Sequence, residues 1–294
     1  QALPGRPLTL YYGDLTGRES TELIETEFDS RLGQLVPRHL RDTLTPAIPW
    51  LAERYPTHAA WSRVTLSDLL KERPNKMRAA TAATLNTTVF INRQGRFEAI
   101  PLPPEAQFAP AFGVTVADFN GDAREDILLA QNFFCFRLED SRLDAGRGLL
   151  LQGDAAGRFL AVSGQDSGIK IYGEQRGAAV CDFDHDGRTD FVIAQNSAAT
   201  KLFHNVGGRP GLRVRLAGAP GNPHGIGAII RLKCGGQWGP AREIHCGSGY
   251  WSQDSSSPVL AMPQPPETIR VIWPGGRKTE VTVPAGAKEF TVKL

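Results

Sequence analysis

Apolar side chains fall at alternate positions near the start of the chain, at Leu8, Leu10 and Tyr12, and strand-like apolar runs recur at Ile127-Leu128-Leu129-Ala130 and Phe191-Val192-Ile193-Ala194. Such patterns predict β-strands. Each is associated with a further apolar strand that closes in a turn: Val89-Phe90-Ile91-Asn92 with Gly95-Arg96-Phe97, Leu149-Leu150-Leu151-Gln152 with Gly157-Arg158-Phe159, and Leu202-Phe203-His204-Asn205 with Gly208-Arg209-Pro210. Three repeat units on one plan are expected. A strand is also expected over Ile169-Lys170-Ile171-Tyr172.

From about residue 34 to 85 the apolar spacing moves toward 3.6. Short helices are predicted over Pro46 to Tyr55, Thr57 to Ser62, Thr65 to Glu72 and Pro74 to Leu85, inserted between two strands of the first unit. Thr65-Leu66-Ser67-Asp68 resembles a capping box with Asp in place of Glu, and Pro74 suits a first helical turn. Trp50, Tyr55 and Trp61 either pack these helices onto a sheet or form a recognition surface. After Pro210, alternation resumes in Leu212, Val214 and Leu216. Further strands are predicted over Ile226 to Leu232, Ala241 to Ile244, Ile269 to Trp273, Glu280 to Val283 and Phe290 to Leu294, with a tight turn at Trp273-Pro274-Gly275-Gly276. The fold class is mainly β: repeated blade-like units over residues 1–208, with a helical insertion at about 34–85, and a small all-β domain over 209–294.

The candidate chemistry lies in the loops that precede the apolar runs. Asp182, Asp184, Asp186 and Asp190 stand at relative positions 1, 3, 5 and 9, with Gly187 at position 6. The glycine lets the backbone turn sharply enough for the carboxylates to converge on a hard cation. Calcium is favoured over magnesium because it takes many oxygens in loose geometry, here those four side chains and the Arg188 carbonyl. A second loop offers Asp118, Asn120, Asp122, the Arg124 carbonyl and Asp126, but Asn120 is neutral and Ala123 replaces the glycine, so weaker binding is expected. The first copy, Asp14 to Glu22, has Arg18 at a ligand position. There the guanidinium is expected to pair with Asp14 and Glu22 in place of a metal.

Composition narrows the function classes. The 294 residues carry 33 basic and 31 acidic side chains, a formal net charge of +2 without a Lys/Arg cluster, which argues against a nucleic-acid partner. No apolar run approaches the roughly 20 residues of a membrane span. The chain opens Gln1-Ala2-Leu3-Pro4, with neither an initiator Met nor a signal peptide, as expected of a mature or truncated piece. Cys181 is expected as a buried free thiol, and whether Cys234 and Cys246 are bridged stays open. The segment Phe133 to Gly146, with Cys135, Glu139, Asp140 and Asp144, reads as a solvated connection. Glu174 and Arg176 face a channel or form an inter-unit ion pair. Tyr250 and Trp251, in Gly247-Ser248-Gly249-Tyr250-Trp251-Ser252-Gln253, either stack on a sugar or peptide or plug the small domain. Asn86-Thr87-Thr88 is a glycosylation sequon that carries no weight here. The histidines (His39, His58, His185, His204, His224, His245) show no metal-ligand spacing, and no Gly-x-Ser-x-Gly elbow occurs.

The two acidic loops and their strands resemble the FG-GAP or VCBS repeats of integrin-α-type β-propellers, in which such loops bind calcium. The tail, with Gly221-Asn222-Pro223-His224-Gly225-Ile226-Gly227-Ala228, then residues 247–253, then Trp273-Pro274-Gly275-Gly276, resembles the ASPIC/UnbV domain of the cartilage acidic protein-like family. The resemblance covers about residues 8–30 and 86–294 and leaves the helical insertion outside. It implies a secreted, periplasmic or cell-surface β-propeller with bound calcium, and no settled enzymatic activity. A closed propeller needs about four to eight blades, so three units imply further blades upstream or a partial ring. The leading expectation is a non-catalytic calcium-binding recognition or adhesion module for a protein or carbohydrate ligand. The alternatives are a propeller-based lyase or hydrolase and a structural spacer of a larger exported protein.

Overall fold

The computed structural model describes residues 5–71, 76–134 and 141–294. The chain divides into two compact units, residues 1–86 and 87–294. The fold is mainly β, with a few short helices. Residues 135–140, with Cys135, Glu139 and Asp140, lie outside the described residues, as do Glu72 and Pro74.

The first unit is an antiparallel sheet of β1 (Leu8–Gly13), β2 (Glu22–Asp29), β3 (Gln34–Pro37) and a last strand, β4 (Met77–Ala82), in the order β3-β2-β1-β4. Between β3 and β4 run α1 (Arg41–Leu44), α2 (Trp50–Arg54), α3 (His58–Trp61) and α4 (Leu66–Leu70). Helices of four or five residues do not persist alone in water, so tertiary packing holds them. Leu44, Ile48, Leu51, Trp61 and Leu69 bury their side chains with Leu15 and Ile24 of the sheet unit, and Trp50 and Tyr55 pack against the same cluster. The three rings therefore serve packing, with Tyr55 edge-on to Trp61. The capping box of α4 forms as its sequence predicts, with Thr65 and Asp68 exchanging hydrogen bonds.

Two expectations fail in this unit. Residues 34–37 pair with β2 as a strand, and Met77–Ala82, expected within a helix, pairs along the whole of β1 from Leu8↔Ala82 to Gly13↔Met77. Alanine's helical preference is under about 1 kcal/mol per residue, less than the ladder bonds and edge coverage that pairing with β1 supplies.

The second unit opens with the hairpin β5 (Thr88–Arg93) and β6 (Arg96–Pro101). Its two-residue turn, Gln94-Gly95, has positive φ at both positions, 54° and 88°, as a twisted hairpin requires. This strand was expected to close the first repeat. Instead it forms a two-stranded sheet of its own. A short 3-10 turn, Pro104–Gln107, leads into β7 (Ala111–Ala117), β8 (Asp126–Gln131), β9 (Leu149–Gly153) and β10 (Phe159–Val162), a meander in the order β10-β9-β8-β7. All six residues of β8 are buried because both its faces are covered. Leu128 and Ala130 enter one core with Ala178, Phe191 and Ile193 of the next sheet, while Ile127 and Leu129 enter another with Leu102 and Ala106. That next sheet comprises β11 (Glu174–Cys181), β12 (Asp190–Asn196) and β13 (Ala198–Phe203) in chain order. Ile169 and Ile171, expected in a strand, are buried in the shared core but lie in irregular backbone held by a bond from the Ile171 amide to the Arg147 carbonyl.

The tail contributes β14 (Leu212–Ala217), β15 (Ile229–Cys234), β16 (Gln237–Trp238), β17 (Arg242–Glu243), β18 (Val259–Leu260), β19 (Pro266–Ile272), β20 (Lys278–Thr282) and β21 (Glu289–Lys293). They form two sheets, β18-β14-β21 and β16-β15-β19-β20, with β17 alongside β15. Alternate residues Leu212, Val214, Leu216, Ile230, Leu232, Ile269, Val271 and Val292 fill the space between them. The Trp273–Gly276 turn closes on a bond from the Gly276 amide to the Trp273 carbonyl at 2.9 Å. Cys181, Cys234 and Cys246 are free thiols, so the open question of a 234–246 bridge is answered in the negative. Tyr250 and Trp251 do not plug this core: they stack on each other, and Trp251 is 91% exposed.

Candidate metal centre

Three loops share one backbone design. Left-handed residues stand at positions 4 and 6 of each: Gly17 and Glu19 (φ 80° and 59°), Gly121 and Ala123 (76° and 68°), and His185 and Gly187 (64° and 83°). The carboxylate at position 9 accepts the backbone amide of position 2 every time, Glu22 from Leu15 at 2.7 Å, Asp126 from Phe119 at 3.0 Å and Asp190 from Phe183 at 3.0 Å. The carboxylate at position 1 accepts amides from positions 4 to 6, as when Asp118 receives Gly121 and Ala123 at 2.6 and 2.7 Å. Ala123 thus makes the same turn as Gly187, at a cost of about 1–2 kcal/mol for its Cβ.

The third loop concentrates ligand atoms. One oxygen from each of Asp182, Asp184 and Asp190 lies within 4.8 Å of the others, and Asp184, Asp186 and His204 meet the same limit. Among the described residues, no other group of three or more acidic, histidine or cysteine side chains converges this closely. Asp182, only 3% exposed, accepts the Gly187 amide through Oδ2, while its Oδ1 is buried with no hydrogen-bond partner. An ionised oxygen left so in the interior is costly, and a cation in the cluster removes that cost. Asp190 is wholly buried and accepts amides from Phe183 and, at 2.7 Å, from Asn205. Burial pushes its carboxyl above the ordinary range despite those bonds. Burial acts on Asp186 in the same direction but is outweighed by the Arg188 amide, the Arg188 guanidinium and His204, leaving its carboxyl below the usual range. The Arg188 Nε is itself anchored to the Gly208 carbonyl at 2.7 Å. The donor set therefore fits a dication.

The second loop is more self-contained. Asp122 accepts the Arg124 amide and guanidinium at 2.9 and 3.0 Å, and Asn120 both donates to and accepts from Asp122. Asp126 receives Phe119 on one oxygen and Gly153 on the other, yet burial raises it to about 6, and the negative charges of Asp118 and Asp122 add to the shift. Burial also raises Asp118.

In the first loop the expected role of Arg18 is not found. Among the described residues its guanidinium pairs with neither Asp14 nor Glu22, and Arg18 contributes only its backbone amide to Asp14. Glu22 is instead satisfied by the amides of Leu15 and Thr16 and the hydroxyls of Thr16 and Ser20. Glu174 and Arg176 pair with each other at 2.5 Å on β11. Glu174 also accepts from the Phe134 amide and Asn196, and Arg176 lies 3.9 Å over Phe112. Burial opposes the Glu174 charge, but these partners together hold its carboxyl below the usual range.

His204 escapes a search by sequence spacing. It follows the end of β13, fourteen residues beyond Asp190, and reaches the loop because Phe203 pairs with Phe191 immediately after it. Its Nε2 lies 3.0 Å from Asp184 and 3.4 Å from Asp186.

Residues 218–293 match the family model described as ASPIC and UnbV, about a quarter of the chain. The tail thus carries an ASPIC/UnbV domain, and all three tail motifs lie within it. No curated protein matches the chain.

Proposed function

We propose that this chain is part of a calcium-binding recognition module of FG-GAP or VCBS type, non-catalytic, working outside the cytoplasm, whose sheets are blades of a β-propeller ahead of the ASPIC/UnbV domain. Calcium is held by the side chains of Asp182, Asp184, Asp186 and Asp190 with the Arg188 carbonyl, and more weakly by Asp118, Asn120, Asp122 and Asp126 with the Arg124 carbonyl. The bound ion neutralises carboxylates that would otherwise repel one another, and so fixes the loops. The observation that carries the reading is the buried, unpartnered Oδ1 of Asp182 beside the Asp184 and Asp190 oxygens.

The face that meets a protein or carbohydrate ligand is the Tyr250–Trp251 stack. Trp251 is 91% exposed and held at a left-handed φ of 46°. Backbone strain that keeps an indole in solvent suits a stacking platform. No helix among the described residues is long and apolar enough to cross a membrane. Thermal unfolding with and without chelator tests the calcium reading. A ligand that binds only the folded state raises stability by RT ln(1 + [L]/Kd), so chelation should lower Tm, and superimposable curves would refute it. Glycan and protein arrays probed with wild type and Trp251→Ala test the recognition face.

A further inference from the structure

We propose that His204 converts the third loop into a mixed nitrogen and oxygen centre that accepts a borderline transition-metal dication of the Zn2+ class in addition to calcium. The inference rests on the reading that this loop holds a cation. Two triads overlap on Asp184: the oxygen-only set with Asp182 and Asp190, and a set in which Asp186 and the His204 imidazole replace them. Hard calcium is served by the first. Imidazole suits zinc-like ions, for which nitrogen ligands at about 2.0–2.1 Å are the rule. The edge of a tetrahedron built on such bonds is about 3.3–3.4 Å. His204 Nε2 stands 3.0 Å from Asp184 Oδ2 and 3.4 Å from Asp186 Oδ2, close to such an edge, and one ligand atom from each of the three residues lies within 4.8 Å of the others.

The imidazole is positioned rather than loose. Phe183 packs edge-on against it with ring centroids 5.6 Å apart, and the next residue, Asn205, ties the chain to Asp190 through its backbone amide. The side chain is 42% exposed, which leaves an ion a path from solvent. Asp186 Oδ2 also receives the Arg188 guanidinium, which must share that oxygen with an ion. In the second sheet the residue before Gly153, whose amide serves Asp126 as that of Asn205 serves Asp190, is Gln152. Gln152 lacks an imidazole, and the second loop forms no corresponding triad among the described residues. The competing role for His204 is that of an imidazolium counter-cation, which stands in for the metal and opposes it.

Calorimetry on the chelator-stripped full chain separates these roles. Zn2+ and Ca2+ are titrated separately into wild type, His204→Gln and Asp182→Asn, with circular dichroism confirming that each variant is folded, and Co2+ absorption reporting nitrogen ligation. His204→Gln should weaken Zn2+ binding about tenfold or more, change Ca2+ affinity less than about twofold and alter the Co2+ spectrum. Asp182→Asn should weaken Ca2+ more than Zn2+. Unchanged Zn2+ affinity in His204→Gln, or a gain in affinity for both ions, overturns the inference. If Ca2+ gives no heat but Zn2+ heat is lost with His204, the inference stands and the calcium reading falls. If neither ion binds wild type, both fall.

Discussion

The side-chain amide of Asn205 donates to the Phe119 carbonyl at 2.7 Å, so a residue just past β13 holds the second acidic loop. The same side chain reaches the Thr189 carbonyl, while its backbone amide serves Asp190. Close by, the Arg209 amide donates to the Asn120 carbonyl and the Gly211 amide to Gly187. One turn thus joins both loops. Asn205→Ala should cost about 2 kcal/mol in urea unfolding, since it orphans two carbonyls and the turn amides of Gly207 and Gly208. Calcium affinity should fall with it. A loss below about 0.5 kcal/mol would show that the turn does not join the loops.

The two left-handed positions of the second loop should respond oppositely. A Cβ on Gly121 meets the Arg209 carbonyl at 2.6 Å, and its φ of 76° disfavours any side chain. Gly121→Ala should therefore destabilise by about 2 kcal/mol or more. Ala123→Gly removes left-handed strain at φ 68° and should stabilise by up to about 1 kcal/mol, without weakening calcium binding. Chemical denaturation of both variants checks the pair, and the same sign for both would contradict the loop geometry.

Asp126 should report cation binding through its titration. Without metal, burial lifts its carboxyl to about 6, above the ordinary 3.8. A group raised on folding contributes no penalty below the unfolded value, and its penalty grows as pH rises to the folded value. Between pH 4 and 6 this amounts to roughly 3 kcal/mol lost. Calcium favours the ionised form and should pull the titration down. Carbon-13 carboxyl NMR in chelator should place Asp126 near 6 and in calcium well below it, and a titration unmoved by calcium would exclude the second loop as a site.

Among the described residues Trp251 stacks on no aromatic ring but Tyr250, and Tyr250 in turn meets Phe112. Trp251→Ala should change stability by less than about 1 kcal/mol while removing array binding. A large loss of stability would assign the indole a packing role.

The acidic loops were legible because side chains at positions 1, 3, 5 and 9 carry the chemistry in the sequence itself, and the tail strands because their alternation faces one core. Most of what escaped depends on distant partners. Met77–Ala82 is a strand only because β1 offers an edge. Ile169 and Ile171 are as apolar as any strand, yet among the described residues they join no sheet, and Ile171 is held by the Arg147 carbonyl and the Gln175 side chain instead. His204 and Asn205 acquire their roles through the register of β13, and Arg18 lost its expected role because hydroxyls and amides already satisfied Glu22. Spacing reports local geometry, whereas the strand at 77–82 and the roles of His204 and Asn205 were set by pairing between elements.

The most direct measurement is the metal content at equilibrium: dialysis of the full chain against micromolar calcium, followed by elemental analysis per mole of protein. The account predicts at least one bound calcium per chain in the wild type and its loss in a folded Asp182→Asn variant. Wild-type protein that emerges from dialysis with no bound calcium would contradict it.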